Sequence, residues 1–319
     1  MKPFKTLDEQ IQQLKDRGLV ISDDDKVKQY LLTQNYYNII NGYGCFFPKN
    51  GENYIAGTSF DEIAKLYIFE KDIKRSLLQG ILDMETHLKS IFAYRFAEEY
   101  PSSPYAYLDV NCYDSSNILN SINTISRLSK KISDNRNPKN GRYNSISHYL
   151  KKHNGVPIWV LVNYIEFGEL RFMLQNSSTK LQNAVAKDFY SFITSHLNCT
   201  VPFTPEVMMS FISNIHNIRN ICAHNNRLIG HICDRDSKYW APLHDKHNIS
   251  KTSDRNTPYS VFISLQCFLS NAEYGAVHNT VRKRLKHLDG NLKTISTDNI
   301  LDKLGFPIGW HKNVSKISY

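Results

Sequence analysis

Apolar residues that recur at spacings of three and four behind helix-start signals, with no alternating strand pattern of any length, limit this chain more than any other feature. The longest such run is Ile63, Leu66, Tyr67, Phe69, Ile73, Leu77, Leu78, Ile81, Leu82, Leu88, Ile91 and Phe92. It follows Thr58-Ser59-Phe60-Asp61-Glu62, a capping sequence, and predicts a long helix through Glu99 with a kink at Gly80. Thr6-Leu7-Asp8-Glu9 reads as a capping box for a short helix through Leu14 that stops near Gly18. Asp23-Asp24-Asp25 opens a second, its carboxylates suiting the positive end of a helix better than a calcium cage. Further helices are expected from Val156-Pro157-Ile158-Trp159 to Phe167, from Leu181 to Phe192, after Thr257-Pro258, and from Val281 to Leu288. Short strands are expected near Tyr54-Ile55 alone, so the fold class is mostly α. No break is convincing as a domain boundary across the 319 residues. One helical domain is therefore expected over 1–319, with 112–154 as a variable, basic insertion within it.

One stretch concentrates polar chemistry on a helix. Thr204-Pro205-Glu206 supplies a cap, a proline at the first helical position and an early carboxylate. Met208, Phe211, Ile212, Ile215, Ile218 and Cys222 then form an apolar face. Arg219 falls at the edge of that face, where a guanidinium is costly unless a carboxylate, a phosphate or several carbonyls meet it. His216, Asn220 and His224, at spacings of four, make a polar row beside it. On a straight helix Arg219 and His224 differ in direction by about 140°. Either the helix ends near Ala223, with Asn225-Asn226 as the stop, or two copies of the chain bring their motifs together. Glu85 is one candidate carboxylate for Arg219, against the plain reading of a pair with Lys89 four residues on, and Glu166 is another.

Arg219-Asn220-Ile221-Cys222-Ala223-His224 resembles the Arg-x4-His motif of the HEPN superfamily. The longer string from Arg219 to Leu228 is similar to the Abi family of bacterial abortive-infection proteins, of the AbiD/AbiF type. Separated landmarks along nearly the whole chain extend the resemblance. They include Gln10 to Leu19, Tyr36 to Tyr43, Glu85 with Lys89 where the family often has arginine, a Pro-x-Trp at Trp159, Phe167-Gly168, and Leu304-Gly305-Phe306-Pro307 with Trp310. The resemblance is weakest between Cys112 and Asn154. It implies a HEPN-like helical bundle with additional helices, and a metal-independent endoribonuclease toxin of abortive infection and antiviral defence. Arg219, Asn220 and His224 would be catalytic, with Glu85 and His216 in support, and the chain would form a homodimer. Histidine suits the proton transfers of 2′-hydroxyl attack because its pKa lies near neutrality, and arginine suits the phosphorane because its fork never loses its proton. The alternative is a helical module that binds structured RNA or a protein without cutting.

Lys and Arg number 39 against 30 Asp and Glu, a net charge of +9 that favours an anionic partner. Nucleic acid is favoured over membrane, since no basic amphipathic anchor is evident. Between Arg127 and His153 the local excess is seven positive charges, with Asn135 to Gly141 reading as an exposed loop. Lys130, Lys131, Arg136, Lys139, Arg142 and, after the motif, Arg227 are the expected RNA contacts, a solubilising surface being the plainer alternative. Tyr36, Tyr37, Tyr43, Phe46 and Phe47 are expected in the core or at interfaces rather than against bases, and Trp159 in the core rather than against a ligand. Cys222-x-His224 and His231-x-Cys233 raise a zinc site, but the spacing fits no common module and Cys222 falls on the apolar face, so no metal and no cofactor are expected. Scattered cysteines, a start without an apolar core and the lack of a spanning run point to a soluble, cytoplasmic protein without disulfides. Its expected partners are RNA and a second copy of the chain, with a non-coding RNA or an antitoxin as a further class, and no membrane.

Overall fold

The helix Phe60–Glu99 is the axis on which the other elements assemble. Its start obeys the sequence: the Ser59 side chain accepts from the Glu62 N–H, and the Glu62 carboxylate accepts from the Ser59 N–H. Oε1 of the same carboxylate accepts from the N–H groups of Lys293 and Thr294 at 2.6 and 2.8 Å, tying a distant loop to the helix start. The helix runs unbroken through Gly80. A Cβ there would stand 2.8 Å from Cγ2 of Val277, so the glycine admits the helix Asn271–Asp289 at close range instead of bending the chain. The motif helix, Pro205–Ala223, packs on the same long helix, flanked by Phe167–Gln175 and Pro258–Ser264.

This computed structural model describes residues 3–138, 143–199 and 201–318. Among them are fifteen α-helices and a single two-stranded antiparallel ribbon, Lys49–Asn50 with Asn53–Tyr54, so the mostly α expectation holds. Buried residues from Ile11 to Trp310 form one hydrophobic core. No helix among the described residues is long and apolar enough to cross a membrane.

Several local expectations need correction. The segment after Asp114 is largely helical, with Ile118–Arg136 and Ser145–His153. The first of these, the basic helix, is hidden in the sequence because Asn117 makes no side-chain cap and because Ser121 and Thr124, with Leu128, fill its buried face. Short polar residues on the inner side erase the apolar period. The helix expected from Val156-Pro157-Ile158-Trp159 to Phe167 is broken. A one-turn helix, Ile158–Leu161, runs on as a 3-10 turn, Val162–Tyr164, the chain extends at Ile165, and Glu166 caps the new helix Phe167–Gln175. The helix expected from Leu181 to Phe192 likewise divides at Phe189. Trp159 is not a core residue; it is 54% exposed, in a groove beside Ala93, Tyr94 and Ala97. Of the amino-terminal aromatics, Tyr43 and Phe47 are buried, whereas Tyr37 is 69% exposed.

Candidate functional site

The motif helix begins as its sequence dictates, with the Thr204 hydroxyl accepting from the Val207 N–H at 3.4 Å and Pro205 at the first position. Met208, Phe211, Ile212, Ile215, Ile218 and Cys222 are all buried. The helix ends at Ala223. Asn225 takes a left-handed conformation, φ +55°, its N–H reaching the Cys222 carbonyl at 3.4 Å while the Asn226 N–H reaches the Ile221 carbonyl at 3.0 Å. This is a Schellman end, and asparagine tolerates the left-handed position better than other residues with a side chain. His224 is thus the cap residue, and it lines the same cleft as Arg219 within one chain.

A buried network holds that turn in place. Glu70 Oε1 accepts from the N–H groups of Leu228 and Ile229 at 2.8 and 2.7 Å, and its other oxygen accepts from the Tyr43 hydroxyl and faces Lys74 Nζ at 3.2 Å. Lys74 in turn donates to Asn225 Oδ1 at 2.9 Å and to the Asn226 carbonyl at 3.0 Å. Burial of the Tyr43 phenol, next to the Glu70 charge, pushes its pKa far up, so it stays a donor. Neither Glu70 nor Lys74 belongs to any motif in the sequence, yet a signal exists. Both interrupt the apolar stripe of Leu66, Ile73 and Leu77, where an ionised residue must have a buried partner.

The cleft at the motif has a volume of about 990 Å³. His216, Asn220, Arg219 and His224 supply one wall; Arg127, Lys130 and Lys131, with Asp134, supply another from the basic helix, and Glu166 and Glu169 line the cleft as well. Gly168 sits close against this wall: a Cβ on it would come within 3.2 Å of His216 Nε2, while the Phe167 ring meets the imidazole edge to face at 5.5 Å. Arg219 donates to Asn220 Oδ1 at 3.4 Å, and Asn220 Nδ2 lies 3.5 Å from His216 Nε2. Nε of Arg219 is buried without a hydrogen-bond partner, and among the described residues no carboxylate stands within 4.0 Å of its guanidinium nitrogens. Glu85 pairs instead with Lys89 at 2.8 Å, the plainer of its two readings. Glu166 and Glu169 approach Lys131 at 3.5 and 3.6 Å. Burial lowers the His216 pKa, the Arg171 and Arg219 charges lower it further and Glu85 opposes them, so this imidazole is neutral at neutral pH.

A family model for Abi-like proteins matches residues 29–230, which span the long helix, the basic helix and the whole motif. The chain belongs to the Abi-like family. The landmarks at Gln10 to Leu19 and at Leu304 to Trp310 lie outside the matched span. No curated protein and no solved structure gives a match.

The remaining basic candidates of this Abi-like chain separate by position. Arg136 lines a different cleft, with Lys151, and Lys139 and Arg142 lie outside the described residues. Arg227 donates to the Gly42 carbonyl at 2.9 Å and lies over the Phe46 ring, 5.2 Å from its centroid, which fastens it to the amino-terminal segment. Cys222 and Cys233 are buried thiols pushed up to about 12 by desolvation, and His231 is bonded to Asn217 Oδ1 at 2.6 Å. Among the described residues no three His, Cys, Asp or Glu side chains gather as a metal site, and all six cysteines are unpaired.

Proposed function

We propose that this Abi-like protein is a metal-independent endoribonuclease of the HEPN type that acts in abortive infection against phage. The observation that carries the reading is Arg219, a half-buried guanidinium that no carboxylate approaches within 4.0 Å among the described residues, in one cleft with His216, Asn220, His224 and the cations of the basic helix. An arginine already paired would gain little from a phosphate. This one has donors to give.

His224 is exposed at the helix end and takes part in proton transfer. As base it removes the 2′-hydroxyl proton; O2′ then attacks the adjacent phosphorus, and the bond to the 5′-oxygen breaks as that oxygen gains a proton. Arg219 meets two non-bridging oxygens of the phosphorane, and Asn220 orients the guanidinium. Lys130 and Arg127 hold the flanking phosphates. The second proton transfer falls to a second copy of the chain, in the homodimer that the HEPN resemblance implies, with the motif helices near the two-fold axis. A strictly monomeric protein that still cuts RNA would contradict that arrangement.

The test is incubation of the purified protein with mixed RNAs in chelator, with analysis of the ends. The reading expects 2′,3′-cyclic phosphates and 5′-hydroxyls. Uncut RNA that remains bound would replace it with the non-cleaving RNA-binding alternative.

A further inference from the structure

His224 lines two clefts at once. Across it from the motif cleft lies a second, of about 650 Å³, between the amino-terminal segment and the turn after the motif helix. That volume falls within the roughly 300–1,000 Å³ usual for ligand sites. Its chemistry differs from the first. Arg227 is the one Lys, Arg, Asp or Glu among its described lining residues, and the Gly42 carbonyl and Phe46 already hold it. The rest of the polar lining is amide, phenol and imidazole, with Asn38, Asn41 and Asn226 beside the exposed ring of Tyr37.

The backbone presents these groups together. Tyr37–Asn41 is a π-helical turn, a rare conformation that concentrates at functional sites. It starts from Asn35, at φ +67°, whose side chain accepts from the Tyr37 N–H at 2.8 Å. Ile39 and Ile40 enter the core, which leaves Tyr37, Asn38 and Asn41 exposed. An aromatic face with several amides, each both donor and acceptor, matches a nucleobase; the motif cleft on the other side of His224, where Glu166 and Glu169 pair with Lys131, leaves Arg127, Lys130 and Arg219 to meet a phosphate backbone.

We infer that the second cleft receives one unpaired nucleobase next to the scissile phosphate, so that the substrate is single-stranded RNA whose cut site is chosen by Tyr37, Asn38 and Asn41. The inference takes from the ribonuclease reading only what His224 does between the two clefts. A base within a duplex has its edge paired and its face stacked, and cannot enter. Tyr37 supplies stacking that any base can use, and the amides discriminate among bases.

Binding and cutting test this separately. Fluorescence anisotropy with the full chain measures 2′-O-methyl homopolymers, which 2′-hydroxyl attack cannot cleave, as single strands and as duplexes. Single strands should bind about tenfold more tightly than duplexes and differ among the four bases. Tyr37→Ala should weaken single-strand binding about tenfold. Asn38→Ala and Asn41→Ala should reduce the differences among bases, and Lys130→Ala should weaken all four alike. Equal affinity for duplex and single strand, or a Tyr37→Ala protein that binds as the parent does, overturns the inference. So does tight binding of a free mononucleotide that Lys130→Ala leaves unchanged, which would mark a small-molecule site. If the parent binds as described but leaves unmodified RNA intact, the ribonuclease reading fails and the base cleft stands. If the parent cuts RNA and Tyr37→Ala and Asn41→Ala cut at the same positions, the base cleft fails and the ribonuclease reading stands.

Discussion

Lys74 and Arg219 both bring a positive charge to the end of the motif helix, in opposite conditions. Lys74 is 3% exposed and its ammonium meets a carboxylate, an amide oxygen and a carbonyl, all from the protein. Arg219 has one side-chain acceptor, at 3.4 Å, a buried Nε with none, and a cleft in front of it. A cation whose acceptors are all supplied by the chain fixes structure. One that is half-buried with donors to spare is suited to an anion from outside.

The largest effect should come from breaking the matched side. Glu70→Ala removes the counter-charge of Lys74 and the acceptor for the Leu228 and Ile229 N–H groups, and should cost about 3–5 kcal/mol in urea unfolding. Arg219→Ala frees no ion-paired carboxylate and should cost about 1 kcal/mol or less. Equal losses from the two variants would erase the distinction.

Titration of the half-buried His247 imidazole comes next. Burial depresses the His247 pKa to about 4, the Lys246 charge adds to the effect, and the hydrogen bond with Gln266 at 2.8 Å opposes it. The unfolded chain binds this proton near pH 6.5 and the folded one only near 4, so its share of stability is complete above pH 6.5 and is lost as pH falls toward 4. The loss should be on the order of 3 kcal/mol, visible as a falling urea midpoint, and His247→Gln should flatten the slope.

The turn between the two cations gives a smaller effect. Asn225→Ala places an ordinary side chain at φ +55° and removes an acceptor of Lys74, for about 1–2 kcal/mol, and Asn225→Gly, free of the backbone strain, should cost less. Smallest is Lys130→Ala, which should leave stability unchanged and reduce the salt dependence of RNA binding by about one phosphate contact.

The same two regions show what the chain discloses on its own. The motif helix obeys local rules, so its Thr204-Pro205 start, its stripe from Met208 to Cys222 and its stop at Asn225 are all readable. The network beneath it is not. Lys74 stands out as a charge within an apolar stripe, but its partner Asn225 lies 151 residues away, beyond any periodicity or capping rule. The basic helix is hidden by Ser121 and Thr124 on its inner face, and with it the placement of Lys130 and Lys131 opposite Arg219. Residue type points Tyr37 toward a core or an interface and Trp159 toward the core, which says how an aromatic is usually placed and nothing of which face a one-turn helix presents.

His224→Ala separates cleavage from folding, because the side chain is exposed and its loss leaves the Schellman turn and the Glu70 network intact. RNA length should be followed in chelator with the parent and the variant at equal concentration, with the unfolding midpoint and RNA affinity measured alongside. The variant should fold as the parent does, still bind RNA with affinity within a few fold, and produce no cyclic-phosphate ends. A folded His224→Ala protein that degrades RNA at the parent rate would contradict it.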